Sequence, residues 1–305
     1  MKRIIYSFYN KLSEGKHHIG IIRFFIRLFA NLMVYPLSWL SIPQQKDNPK
    51  ILISLTSFPA RINQLWKIII VLLHQQVNVP FKVILWLSEE QFHGFDSLPK
   101  KLRVLTTKGL EIRLMKDDLK SHKKYYYAFS EYHEQVVITV DDDILYSLNL
   151  IQTLYNAHLK SPKFVCCCRG RMAIFNTNGE VRNYEKWEIL SAASNDTISN
   201  AIVPTGIGGV LYPPLSYSKD IFNQNAFKST CLNGDDLWLN FMCREQGTCI
   251  RHIANQFRYN TLFSSQKGSL SKTNVKLNKN DEQIRLISTW AKQHLGHDFF
   301  HRMKG

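Results

Sequence analysis

The chain has 305 residues, of which 45% are hydrophobic, 12% aromatic and 21% charged, with 14 glycines. Those proportions exclude disorder, a collagen-like repeat and a coiled coil, and leave a globular protein of one large or two small domains. Lys plus Arg number 39 against 24 Asp plus Glu, and the formal charge of +15 favours an anionic partner: a phosphate-bearing small molecule, nucleic acid or a membrane face.

Residues 1–50 carry eight Lys or Arg against Glu14 and Asp47, so this segment alone holds +6. Over 19–34 the run IGIIRFFIRLFANLMV spaces Gly20, Arg23, Arg27 and Asn31 three and four apart, a narrow polar stripe on a helix otherwise covered by Ile, Phe and Leu. Pro36 is expected to end it. The two arginines interrupt any run long enough to span a bilayer, and no small-residue cleavage site follows a short apolar core. The segment reads as a basic amphipathic anchor to an anionic membrane surface; packing of the same helix on the main domain is the alternative. On the first reading, removal of residues 1–45 leaves an active domain. The polar stretch 41–50, with two prolines, reads as the linker.

From residue 51 onward short β-rich runs alternate with amphipathic segments. Strands are expected at 51–55, 82–88, 111–115 and 136–140, and helical stretches at 61–75, 98–105, 123–132 and from about 147. Such alternation predicts an α/β fold with a mostly parallel sheet covered on both faces, whose ligands bind beyond the carboxyl ends of the strands. Cys166, Cys167 and Cys168 lie in an apolar run, and Cys231, Cys243 and Cys249 form no CxxC pair, which points to inert core thiols in a reducing compartment rather than zinc.

The sequence VVITVDDDILY sets Asp141, Asp142 and Asp143 directly after a strand with no basic neighbour. Adjacent carboxylates repel, so a fold that gathers them supplies a cation or solvates them; capping of the next helix is the bland alternative. In an extended segment Asp141 and Asp143 project to one side, placed to share Mg²⁺ or Mn²⁺ with a diphosphate, while Asp142 points away.

A nucleotide-binding α/β half that ends in a strand and an Asp-x-Asp motif resembles a glycosyltransferase of the GT-A (Rossmann-like) fold, similar to the family 2-like bacterial enzymes of cell-surface polysaccharide synthesis. The resemblance covers roughly 51–252. It implies a turn after the first strand that borders the nucleoside, here Thr56, Ser57, Pro59 and Arg61. It also implies basic residues on the helix before the acidic motif, here Lys123 and Lys124, which with Asp141 and Asp142 would complete the donor-nucleotide cradle. Solvated helix surface is the other reading of the two lysines.

In the second half VPTGIGGVLYPP carries Gly206, Gly208 and Gly209, a loop able to approach donor or acceptor closely, or a plain turn; neither GxxxxGK[ST] nor a supported GxGxxG is present. In CLNGDDLWLNFMCREQG, Asp235 and Asp236 open a helix, where capping accounts for acids equally well. The resemblance makes Asp236 the base that takes the acceptor proton in an inverting transfer, with Asp235 beside it. A metal-ligating His late in the domain, common in relatives, has no clean match; His252 is the nearest.

The expected organisation is therefore a membrane-associating segment (1–50), a catalytic domain (51–263, divided at 143 into nucleotide and acceptor halves) and a basic loop with a helix at about 281–295 (264–305). The implied enzyme is a metal-dependent hexosyltransferase on the cytoplasmic face of the cell membrane. Its partners would be a nucleotide-diphosphate sugar and a glycan or lipid-linked acceptor, with no nucleic acid. Two alternatives stand beside it: a metal-dependent nucleotidyl or phosphoryl transferase, and a non-enzymatic binder of nucleic acid or acidic polysaccharide.

Overall fold

Two helices open the chain, α1 (Lys2–Ser13) and α2 (Gly20–Ser38). The computed structural model describes residues 1–16, 18–42, 48–178, 180–191, 194–263 and 279–303; part of the expected linker and all of the expected basic loop up to 278 lie outside them. Then follow β1 (Ile51–Thr56), α3 (Pro59–Leu73), β2 (Phe81–Ser88), α4 (Lys100–Val104), β3 (Leu110–Met115), α5 (Lys123–Glu131) and β4 (Val136–Thr139), within a few residues of the sequence expectation. The second half consists of shorter pieces: β5 (Ile144–Leu145), α6 (Leu150–Lys160), β6 (Val165–Cys167), β7 (Gly170–Met172), β8 (Glu188–Leu190), β9 (Thr197–Ile198) and β10 (Ile202–Pro204). It closes with β11 (Val210–Tyr212), α7 (Gln224–Thr230), α8 (Asp235–Glu245), β12 (Ile250–His252), β13 (Asn260–Thr261) and α9 (Lys279–Leu295).

Eight strands form one sheet in the order β3-β2-β1-β4-β11-β6-β12-β9. The β3-β2-β1-β4 pairs and the β6-β12 pair run parallel, while β11 lies antiparallel between β4 and β6. Period-two alternation divides β1 between two cores. Ile51, Ile53 and Leu55 join the core that holds Leu65, Ile69 and Leu72 of α3, whereas Leu52 joins that of Tyr125, Ala128 and Phe129 from α5. A sheet buried on both faces in this way needs its continuous apolar runs. The chain is thus α/β, with a large, mostly parallel sheet between helices, consistent with a Rossmann-like fold.

Register fixes where ligand-facing residues emerge. Ser54 of β1 pairs with Thr139 of β4, so the segments after both strands leave the sheet side by side. Val210 of β11 pairs with that same Thr139 and with Cys167 of β6. Because β11 runs the other way, the glycine loop that enters it and the residues that leave β6 reach the same edge.

The N-terminal helices pack on this body, but not through the Ile/Phe face that packing on the main domain would be expected to use. Arg27 donates from Nε to the Thr261 carbonyl and from Nη2 to the Leu262 carbonyl, both at 2.8 Å, and Asn31 reaches Thr261 at 3.2 Å. Ala30, Val34 and Leu37 are buried along the same side. The Arg27 and Asn31 end of the stripe therefore faces the protein, while Gly20, Arg23 and most of the Ile/Phe/Leu arc stay exposed. Pro36 does not end α2 but sits inside its last turn, with only Leu37 and Ser38 after it. From α1, the Tyr6 hydroxyl meets His74 Nδ1 at 2.7 Å and the fully buried Tyr9 donates to the Tyr146 carbonyl at 3.0 Å.

Candidate functional site

The acidic triplet leaves β4 in a turn rather than as a continued strand. The alternation expected of an extended segment is lost with it. Asp142, instead of pointing away alone, shares Arg61 with Asp143: Nη1 lies 2.5 Å from Asp142 and Nη2 3.1 Å from Asp143. Ser57 Oγ donates to the other Asp142 oxygen at 2.6 Å. Pro59 supplies the first turn of α3, where its missing N–H is no loss, and Arg61 follows on that turn. Thr56 is turned to the neighbouring strand, donating to the Trp86 carbonyl at 2.7 Å.

Asp141 takes a different partner. Lys124, whose side chain is 5% exposed, lies 3.0 Å from Asp141 and 2.8 Å from Asp235, and so ties together two acidic segments far apart in sequence. Its backbone carbonyl accepts from Ser54 of β1, which fixes α5 against the sheet. The adjacent Lys123 turns elsewhere, to Asp118. At the start of α8 Gly234 is the N-cap and no side chain caps the helix; Asp235 is committed to Lys124, and both Asp236 oxygens accept from the Gly206 N–H at 3.2 Å. Capping, the alternative reading of these acids, does not describe their partners.

Gly206 is required by space. A Cβ there would stand 2.5 Å from Asp141 Oδ1 and 3.0 Å from Lys124 Nζ. Gly208 is pressed against Arg169, where a Cβ would lie 2.6 Å from its backbone nitrogen, and Gly209 has φ +72°. The stretch read as a loop is thus a tight 3₁₀ turn between strands β10 and β11.

Tyr146 completes the arrangement and was not found by sequence reasoning. Its hydroxyl accepts the Asp141 N–H at 2.7 Å and donates to the Gly206 carbonyl at 3.1 Å. Asp141, Lys124, the Asp235–Asp236 pair, Gly206 and Tyr146 therefore form a closed ring of contacts. No sequence signal marks Tyr146 as polar machinery. Arg169 was also missed, although its place directly after the apolar run of β6 is the signal used for the other strand ends; its Nη1 donates to Thr205 Oγ1 at 3.1 Å.

Five carboxyls gather around two cations, and burial distorts their titration. Asp143 is pushed up to about 7, first by burial and then by Asp141, against the pull of Arg61. Burial also raises Asp142 despite Arg61 and Ser57. Asp236 is raised by burial and then by the charge of Asp235. For Asp235 burial is outweighed by Lys124 and His122, and its carboxyl stays below the ordinary range. Lys124 is likewise desolvated, yet Asp141, Asp235 and Asp236 hold it well above the usual lysine value.

These residues fit a hard divalent cation. Within the triplet the side chains of Asp141 and Asp143, 31% and 17% exposed, are more open than that of Asp142 at 8%, and the repulsion between the first two is what a cation would relieve. Among the described residues no group of three His, Cys, Asp or Glu side chains is arranged to hold a metal, so substrate oxygens and water would complete any coordination shell. His252 is fully buried on β12, bonded to the Asn195 carbonyl at 3.2 Å, with Asp196 as its carboxylate neighbour. The sequence matches no known protein-family model and no curated protein sequence.

Proposed function

We propose that this chain is a GT-A-type glycosyltransferase, of the family 2-like kind, that moves a sugar from a nucleotide diphosphate to a hydroxyl of a glycan or lipid-linked acceptor in cell-surface polysaccharide synthesis. The observation that carries this reading is the ring at the carboxyl ends of β1 and β4, in which Lys124 joins Asp141 to Asp235 while Asp236 lies against Gly206. Two acidic centres with different environments serve two tasks, charge compensation at a leaving group and proton acceptance at an acceptor.

In this reading Asp236 takes the proton of the acceptor hydroxyl. The hydroxyl oxygen bonds to the anomeric carbon from the face opposite the phosphate, the bond from that carbon to the phosphate oxygen breaks, and the nucleoside diphosphate leaves with the electron pair. Burial and the neighbouring Asp235 raise the proton affinity of Asp236, which suits a base working near neutral pH. Arg61 and Ser57 hold Asp142 and fix the turn that presents Asp141 and Asp143. Mg²⁺ or Mn²⁺ held by Asp141 and Asp143 would offset the diphosphate charge.

The test is a panel of nucleotide sugars on the purified full chain with either metal, read first as thermal stabilisation and then as nucleoside diphosphate released. Release that rises with a glycan acceptor, disappears in Asp236→Asn and leaves nucleotide-dependent stabilisation of that variant intact supports the reading. Release of sugar 1-phosphate in place of nucleoside diphosphate, with the nucleoside monophosphate moved to another group, would replace it with nucleotidyl transfer. Salt-sensitive binding of nucleic acid with no metal requirement would remove the enzyme assignment.

A further inference from the structure

Among the described residues nineteen large apolar side chains stand exposed, and twelve of them fall within residues 1–39. On α2 the exposed Ile21, Ile22, Phe25, Phe29 and Leu32 recur at spacings of three and four, the arc opposite Ala30, Val34 and Leu37. Met1, at the N-cap of α1, and Ile4 and Phe8 on it repeat the pattern. Scattered apolar side chains are ordinary on a protein surface, but two neighbouring helices that both turn their apolar arcs outward form a patch. The arcs cannot roll inward while Arg27 and Asn31 hold the Thr261 and Leu262 carbonyls.

The surroundings are basic. Lys2, Arg3, Lys11, Lys16 and Arg23 are exposed, and Glu14, the only acid in residues 1–42, is engaged by Ser147 and Asn149. Contrary to the expectation that its two arginines leave no run long enough, α2 has the length and composition to cross a bilayer. Its packing lengthwise on the domain is incompatible with crossing, since that would strip Arg27 from its two carbonyls and place a guanidinium in hydrocarbon. An outward apolar arc with a cationic fringe instead matches a surface lying in the headgroup layer, the apolar side chains entering the acyl boundary and the cations meeting anionic lipid.

We propose that the outward faces of α1 and α2 are a monotopic docking surface for an anionic lipid bilayer, with α2 parallel to the membrane plane. None of the outward side chains of α1 and α2 belongs to the acidic ring, so the proposal does not depend on sugar transfer. The experiment is flotation of the full chain with vesicles of phosphatidylcholine alone and of phosphatidylcholine with phosphatidylglycerol, without nucleotide or metal. The chain is expected to float with the anionic vesicles, and Phe25→Ser with Phe29→Ser to lower binding about tenfold with an unchanged melting temperature, since both rings are already exposed. Lys2→Gln, Arg3→Gln and Lys11→Gln together should remove the preference for anionic lipid and most of its salt sensitivity. Undiminished flotation of the double Phe variant, or no flotation with either vesicle, overturns the proposal. A lipid-free dimer that the same Phe substitutions dissociate would also overturn it, assigning the face to a second copy of the chain.

Discussion

Lys124 holds a position that few lysines occupy, almost fully buried between carboxylates from two segments of the chain. A buried cation is tolerated only because its partners are fixed, and removal of one member leaves uncompensated charge in a low-dielectric setting. Lys124→Met is therefore expected to cost about 3–5 kcal/mol in denaturant unfolding. Adding Asp235→Asn should recover part of that loss, because the second change removes a charge that the first left unpaired; strict additivity of the two would mean that the pair is not coupled. Tyr146 makes a subtler case. Tyr146→Phe leaves the Asp141 N–H and the Gly206 carbonyl without their buried partner, an expected cost of about 1–3 kcal/mol. Since the hydroxyl touches backbone alone, it acts on the site by positioning. Turnover in this variant should fall while the pH dependence of the residual activity keeps its shape; a displaced pH profile would assign the hydroxyl a part in proton transfer.

The N-terminal helices behave as part of the body rather than as a detachable anchor. Tyr9 and Leu37 are fully buried, and Tyr6 and Arg27 are bonded to elements of the main domain. The expectation that a chain without residues 1–45 keeps its activity is replaced by its opposite: such a truncation should show an early melting transition and dye-accessible apolar surface. Orientation of these helices was beyond sequence reading because the partners of Arg27 and Asn31 are carbonyls more than two hundred residues away, and a polar stripe looks the same whether it meets water or a protein carbonyl. By contrast β1, α3, β2 and β4 were legible, since long apolar runs and strong period changes decide them locally. The strands of two or three residues, β6, β7, β10 and β11 among them, were not; tertiary pairing creates strands this short, not propensity. At the site the aspartates were legible by position at strand and helix ends, whereas their partners were not. The turn at Asp142 brings two carboxylates to Arg61, which was expected beside the nucleoside, and sequence alone could not tell Lys123 from Lys124.

Taken as a whole, the molecule places an over-supplied carboxylate cluster inside a chain of charge +15, and that contrast sets its response to pH. A carboxyl whose folded pKa lies above its unfolded value binds protons preferentially in the native state, so stability falls as pH rises from the unfolded to the folded value. Asp143, at about 7, and Asp236, also raised, act in this sense. The buried His74 and His122, each lowered to about 4, act in the other: stability rises with pH until the unfolded histidines have lost their protons, at about 6.5. Above that value the aspartates act alone. Without metal the melting temperature is therefore expected to fall between about pH 6.5 and 8, and Asp143→Asn should flatten the fall and stabilise the protein by a few degrees at the upper end. Mn²⁺ or Mg²⁺ should reverse the slope, because ligation needs ionised carboxylates and grows as they lose protons; in Asp141→Asn that reversal should vanish. Scanning calorimetry of the unaltered chain and the two variants at several pH values, with and without metal, separates these contributions. A melting temperature that climbs steadily through this range in the absence of any ion would mean that Asp143 and Asp236 ionise freely, and the proposed cation site would lose its support.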